Sequence, residues 1–138
     1  MTLPFTVVLK TGLPVHDQVV FAVERALVSG QLRAGDPFPS VRALSQELRI
    51  NPNTAHRIVA TLVRDGLLEV RPGMGTTVAK RPASTAAERR ALLRDDVERV
   101  VVTARKLSLG VDDVVDAVRD HWQRFDERPR RGDGKTKS

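Results

Sequence analysis

The sequence predicts a mainly α-helical fold with one small β-hairpin. Apolar residues recur at spacings of three and four along five segments of the 138-residue chain, which is the spacing of one helix face. Two short strand-like pieces, residues 67–71 and 76–80, enclose the turn PGMG, and such a pair is typical of a hairpin. The turn-rich stretch GQLRAGDPFP, residues 30–39, separates the first predicted helix from the second.

The first three helices follow one another within the first half of the chain. After an extended lead-in, residues 1–13, the first helix is predicted from Val15 to Gly30, because a glycine after the last apolar position is a common helix end. Ser40 is expected to cap a short second helix. Asn51 suits the cap of the third helix, and proline suits its first position, where an N–H has no partner anyway.

The third helix is predicted to have one apolar and one polar face. It begins at Pro52 and is expected to stop at Gly66. On a helical wheel the apolar face holds Ala55, Ile58, Val59, Leu62 and Val63, and the opposite face holds Asn53, Arg57, Ala60 and Arg64. The apolar face can pack on the two preceding helices, which leaves the polar face outward.

Composition and charge indicate what kind of molecule the protein binds and where in the cell it is located. Residues 1–82 hold ten Lys and Arg against six Asp and Glu, and residues 128–138 hold five against one. This basic excess favours a polyanion, although a solvated basic surface explains it equally well. The chain has no cysteine, no apolar run of the ~20 residues that span a membrane, and no secretory signal. A cytoplasmic location is therefore expected, with no membrane partner.

No residues of the chain form a recognisable catalytic or metal-binding set. No nucleophile–base pair or pair of acids stands out, so neither enzyme activity nor a cofactor is expected. His16, His56 and His121 do not fall with carboxylates on one helix, as the ligands of a metal site would. A metal site is therefore not expected either.

A short helix, a tight link and a second amphipathic helix form the pattern of a helix-turn-helix. In that motif the second helix enters the DNA major groove, and its first residues reach base edges. A helix N-terminus suits phosphate, asparagine can pair with adenine, and arginine can pair with guanine. The competing interpretation is that NPN at 51–53 is capping chemistry alone, which explains this segment equally well when taken by itself.

Neighbouring residues favour DNA binding over simple capping. Arg42 lies opposite the apolar stripe of the second helix, and the hairpin carries Arg71 and Lys80. Three helices followed by a hairpin with a glycine-rich tip are the plan of a winged helix, whose wing would lie along the minor groove or the backbone. Gly73 and Gly75 would let the main chain approach the duplex, although both can be plain turn glycines.

Residues 14–80 resemble the DNA-binding domain of the GntR family of bacterial transcriptional regulators. The resemblance rests on GQLRAGDPFPSVRALSQEL, INPNTAHRIVATLVRDGLLE and the wing GMGTTV, which together are highly specific. The NPNT segment and the short C-terminal extension are similar to the YtrA-like subfamily. The resemblance implies a winged helix-turn-helix at residues 1–81 and a transcriptional regulator, more specifically a repressor.

The resemblance also implies which positions contact DNA. It assigns DNA contact to the arginine after PSV, to the first residues of the third helix and to a wing glycine. With the residues indicated by the helix geometry, the predicted DNA-binding set is Ser40, Arg42, Asn53, Thr54, His56, Arg57, Arg71 and Gly75. Two departures affect specificity: His56 stands where some relatives have arginine, and Pro52 stands where others have a basic residue.

The C-terminal part, residues 82–127, is predicted to be a two-helix hairpin that dimerises. Two helices with narrow apolar seams bury too little surface to be stable alone. Pairing with a second copy would give a homodimer that reads a palindromic operator. The seam residues expected in the interface are Leu93, Val97, Val100, Ala104, Leu107, Val118 and Trp122. The alternative is that these helices pack on the winged helix of their own chain.

Some questions stay open on the sequence alone. The competing function is a winged-helix module for protein–protein interaction, which would need Val100 or Trp122 but neither Asn53 nor Arg57. Residues 128–138 are expected to be a disordered basic tail that adds non-specific attraction to phosphate. A transporter operon as the target is implied only by the subfamily resemblance, and no residue selects a small-molecule effector.

Overall fold

The computed structural model describes residues 3–127, which form two compact units. The first unit runs to Pro82 and the second begins at Ala83. The fold class is confirmed: within the described residues the chain is mainly α-helical with one two-stranded antiparallel hairpin. The tail predicted at 128–138 lies outside the described residues.

The first unit consists of three helices followed by the hairpin. The helices are α1 (Val15–Ser29), α2 (Val41–Leu48) and α3 (Pro52–Arg64), and the strands are β1 (Leu68–Arg71) and β2 (Gly75–Val78). Gly30 ends α1 with a left-handed φ of 84°, as a glycine at this position commonly does. In the hairpin, Leu68 lies opposite Val78 and Arg71 lies opposite Gly75.

The turn-rich stretch before α2 pairs with the outer edge of β2, which the sequence pattern did not indicate. The Phe38 N–H donates to the Thr76 carbonyl over 2.9 Å, and the Val78 N–H donates to the Asp36 carbonyl over 2.8 Å. Pro37 and Thr77 form an isolated bridge between these bonds. Strand β2 is therefore hydrogen-bonded on both edges, to β1 on one side and to residues 35–38 on the other.

The extended lead-in belongs to the core rather than preceding it. Phe5 is buried and its ring stacks on that of Phe38, with centroids 5.7 Å apart. The side-chain amide of Gln18 holds the end of this segment by donating to the carbonyls of Lys10 and Leu13, over 2.9 and 3.0 Å. The remaining core side chains come from the helices, the strands and Leu32: Val19, Ala22, Val23, Ala26, Leu32, Leu44, Ala55, Ile58, Leu62, Leu68 and Val78.

The second unit consists of two helical arms joined by a turn, and its first arm contains a π-helical segment. The elements are α4 (Ala86–Arg90), the π-helical segment Ala91–Asp96, α5 (Val97–Lys106) and α6 (Val111–Glu127). Thr85 caps α4 in a reciprocal capping box with Glu88. The sequence pattern predicts one uninterrupted α-helix over the first arm, and the π-helical segment was missed.

Candidate nucleic-acid interface

A three-residue turn at 49–51 joins α2 to α3. Arg49 adopts a left-handed φ of 55°, and the N–H of Ile50 donates to the Ser45 carbonyl over 3.1 Å. The Ser45 hydroxyl donates in turn to the Ile50 carbonyl over 2.8 Å. Because one side chain joins the last turn of α2 to the residue before the cap of α3, the angle between the two helices is held by local hydrogen bonds.

The N-terminus of α3 is capped by its own chain. The Asn51 side-chain oxygen accepts the N–H of Asn53 over 2.7 Å, and Pro52 occupies the first helical position without an N–H. The N–H of Ala55 donates to the Asn51 carbonyl over 3.0 Å. Fewer main-chain N–H groups are thus free at this helix end than at an uncapped one, so any contact with phosphate here would rely mainly on side chains.

The two faces of α3 are those that the helical wheel predicts. Ala55, Ile58 and Leu62 are fully buried. The outward face carries exposed side chains, namely Asn53, His56, Arg57, Ala60 and Arg64. Neither Arg42 nor Arg57 forms an ion pair within residues 3–127. Both guanidinium groups are therefore available to an outside acceptor.

The flank of α3 is bonded to α1 through a histidine. The Nε2 atom of His16 lies 2.8 Å from the hydroxyl of Thr61, and its Nδ1 atom lies 3.0 Å from the Asp17 carboxylate. The imidazole is largely buried, with 20% of the side chain exposed. Sequence reasoning considered His16 only as a metal ligand and missed this contact, because residues 45 positions apart leave no local signal of their pairing.

The wing carries the remaining predicted DNA contacts. Arg71 is engaged with Glu69, whose Oε2 accepts from Nε over 3.0 Å and from Nη2 over 2.7 Å. A contact between Arg71 and phosphate must therefore replace an existing exposed ion pair, which costs little. Gly75 has a φ of 81° and open space where a Cβ would be, so the main chain is accessible at this point of the wing.

The predicted DNA-binding residues lie on α2, α3 and the hairpin of one unit. Ser40 caps α2 by accepting the N–H of Ala43 over 3.1 Å, and Arg42 lies in the first turn of the same helix. Thr54 is partly buried, and the other members of the set are exposed or partly exposed. Their contact with DNA remains a prediction.

The second unit exposes most of the seam that was predicted to dimerise. Ala104 alone of the seven seam residues is buried. The Leu109 N–H donates to the Ala104 carbonyl over 2.9 Å, at the turn before α6. The other six are exposed, namely Leu93, Val97, Val100, Leu107, Val118 and Trp122. Exposed apolar side chains grouped in this way are typical of a surface that another molecule covers.

Residues 3–127 offer neither a metal-binding cluster nor a membrane-spanning helix. No group of three or more His, Cys, Asp or Glu side chains is arranged to hold a metal ion. No helix within this range is both long enough and apolar enough to cross a bilayer.

Comparison with known proteins points to one family. Residues 16–78 match the family model of bacterial regulatory proteins, gntR family. The chain is 28% identical to the HTH-type transcriptional regulator YhcF of Bacillus subtilis, covering 80% of this chain and 91% of that protein. It is 25% identical to the HTH-type transcriptional repressor YtrA of the same organism, covering 69% of this chain and 74% of that protein.

Solved structures share the fold over most of the chain. A transcriptional antiterminator from Listeria monocytogenes superposes with a TM-score of 0.77 at 22% identity, covering 96% of this chain and 97% of that one. YtrA from Sulfolobus acidocaldarius, a GntR-family transcription factor, superposes with a TM-score of 0.52 at 21% identity, covering 88% and 99%. At these identities the likeness establishes the fold.

Proposed function

Because this chain belongs to the GntR family of bacterial regulatory proteins and is YtrA-like, we propose that it is a sequence-specific transcriptional repressor that binds a palindromic operator as a homodimer. The observation that carries the proposal is the outward face of α3, where Asn53 and Arg57 are exposed while Ile58 and Leu62 are fully buried. Because the apolar face of α3 is packed in the core, its polar face is held outward in a defined orientation.

In the proposed complex, α3 lies in the major groove. Asn53 and Arg57 are one helical turn apart and so face the same short stretch of base pairs. Asparagine pairs bidentately with adenine and arginine with guanine, and each such pair contributes about 1–3 kcal/mol of discrimination. Arg42, in the first turn of α2, contacts phosphate and sets the register of the protein on the duplex.

The exposed seam of the second unit supports the homodimer. Two helices leave Val100, Leu107 and Trp122 in water, and a second copy provides an identical apolar surface under twofold symmetry. Joining two winged helices makes the second half-site contact intramolecular, which raises the effective concentration without any new contact. Repression, rather than activation, is supported by the name of the relative YtrA. The proposed role places the protein in the cytoplasm and requires no catalytic activity.

The test begins with a randomised duplex library, from which the wild-type protein selects its operator. Fluorescence anisotropy then measures the affinity of variants for the selected duplex at fixed salt. Arg57→Ala is expected to weaken binding about tenfold or more, since one bidentate base contact is lost. Arg90→Ala removes the same charge from an exposed position of α4 and is expected to change affinity little.

Equal affinities for Arg57→Ala and Arg90→Ala would contradict base reading by α3. Failure of the wild-type protein to enrich any sequence would contradict the function itself. In the latter case the winged helix would be better explained as a protein-interaction module. Loss of partner binding in Val100 or Trp122 variants, but not in Asn53 variants, would then identify it as such.

A further inference from the structure

The tip of the wing is apolar rather than basic. Val70 is 66% exposed and Met74 is 69% exposed. Between Arg71 and Thr77 the sequence is PGMGT, without a charged residue. Arg71, at the base of the tip, already forms an ion pair with Glu69 at 2.7 Å. A wing that served only to follow phosphates would be expected to carry free cations here.

The backbone isolates Met74 at the end of the hairpin. The N–H of Met74 donates to the Arg71 carbonyl over 3.0 Å, which closes a four-residue turn. Pro72 at its second position and Gly73, with a φ of 77°, at its third are the arrangement of a type II turn. Gly75, on the other side, has a φ of 81°, and at both glycines a Cβ would meet nothing within 4 Å.

A single methionine between two residues without side chains has the shape of a thin wedge. Its side chain is unbranched and polarisable, so it can enter a gap the thickness of one base. Apolar side chains, methionine among them, enter between base steps from the minor groove and kink the duplex by about 20–90°. Neighbouring side chains would block such an entry, and here the adjacent positions are glycines.

We propose that Met74 intercalates from the minor groove into a base step beside each half-site and kinks the operator. This inference rests on the proposed function and adds to it a specificity that involves no base hydrogen bond. The step that is entered must be easily unstacked, and pyrimidine–purine steps are the most easily kinked. Met74 would therefore select a flexible step next to the sequence that Asn53 and Arg57 read.

The experiment measures the bend of the selected operator duplex by energy transfer between dyes at its two ends. The wild-type complex is expected to be bent by about 20–90°. Met74→Leu, which keeps an apolar side chain of similar size, is expected to keep the bend. Met74→Ala and Met74→Gln are expected to bind the duplex with the bend reduced by half or more. Val70→Thr is the matched control: it replaces an exposed side chain of the wing by a polar one of nearly the same shape, and it should keep the bend.

A second measurement reports unstacking directly. With 2-aminopurine placed at the step flanking each half-site, wild-type protein should raise its fluorescence and Met74→Ala should not. A wild-type complex that is straight, or a Met74→Ala complex as bent as wild type, would overturn the wedge while leaving DNA binding intact. If the wild-type protein gives no anisotropy change with the duplex, the proposed function fails, and the wedge fails with it.

Discussion

The Nε2 atom of His16, in α1, lies 2.8 Å from the hydroxyl oxygen of Thr61, in α3. Thr61 stands on the flank of α3, between its buried and outward faces. A hydrogen bond at the flank opposes rotation of the helix about its own axis and so adds to the orientation that the packed apolar face provides. The contact therefore helps to decide which side chains of α3 face outward, and the Asp17 carboxylate holds the imidazole from its other nitrogen.

Removing either partner of this bond should destabilise the fold. His16→Ala and Thr61→Val are each expected to lower the free energy of unfolding by about 1 kcal/mol, the usual net contribution of one hydrogen bond. Urea unfolding of wild type, both single variants and the double variant gives the coupling free energy between the two side chains. If the two losses simply add, the side chains do not interact in solution and the contact has no positioning role.

The stability of the first unit should depend on the ionisation of Glu24. Partial burial, and then the Asp65 carboxylate, raise the pKa of Glu24 above its ordinary value of 4.5. The folded state thus favours the protonated acid, so the stability that this group contributes is fully present below pH 4.5 and is lost as the pH rises through the raised pKa. Glu24→Gln is expected to be more stable than wild type at pH 7, with the difference shrinking towards pH 4.

Urea midpoints of wild type and Glu24→Gln at pH 4 and pH 7, at one protein concentration, measure this dependence. Asp65→Asn removes the nearby charge but leaves the burial. In that background the effect of Glu24→Gln should be smaller without being abolished. A difference that is the same at both pH values would show that the Glu24 carboxylate is not disfavoured in the folded protein.

The cap of α3 allows stability and DNA binding to be separated. Asn51→Ala is expected to cost about 0.5–2 kcal/mol of unfolding free energy, because the Asn53 N–H loses its acceptor. Asn51→Asp keeps the cap and adds an anion where the helix dipole favours one, so its stability should equal or exceed that of wild type. The same anion repels phosphate, so its affinity for the operator should fall. If Asn51→Asp binds as tightly as wild type, this helix end lies away from the DNA backbone.

The proposed dimer should depend on the exposed apolar seam of α6. Val118→Asp places a charge on that seam, and Gln123→Asp places the same charge at an exposed position about 140° around the helix axis from Val118. Sedimentation velocity is expected to find Val118→Asp as a single chain at concentrations where wild type and Gln123→Asp are dimers. If Val118→Asp remains a dimer, the interface lies elsewhere in the chain.

The sequence was most informative where periodicity and capping chemistry agree. For α3, the cap at Asn51, the proline at 52 and the apolar spacing all indicate the observed start and the observed faces. The capping box at Thr85 and Glu88 is likewise a local signal with a local cause. Short-range hydrogen bonds and the helical repeat depend on residues that are close together in the sequence, so they can be predicted without knowledge of the tertiary structure.

Features that depend on distant contacts were missed. Leu3, Phe5, Val7 and Leu9 alternate along the lead-in and pack on the core. This repeat does not identify a distant partner, and the ring that stacks on Phe5, Phe38, lies in a turn-rich stretch. The hydrogen bonds that join Asp36 and Phe38 to the edge of β2 link residues about 40 positions apart, so no local pattern indicates them. The π-helical segment Ala91–Asp96 has a composition that an α-helix also accepts, so nothing in its residues distinguishes the two.

The central claim, that the outward face of α3 reads bases, is tested most directly by base preferences at each position of the selected operator. Wild type and Asn53→Ala are compared on a set of single-base variants of that duplex. The account predicts that Asn53→Ala loses preference at one position in each half-site, by about 1–3 kcal/mol, and keeps its preferences elsewhere. An Asn53→Ala protein with the complete wild-type preference would contradict it.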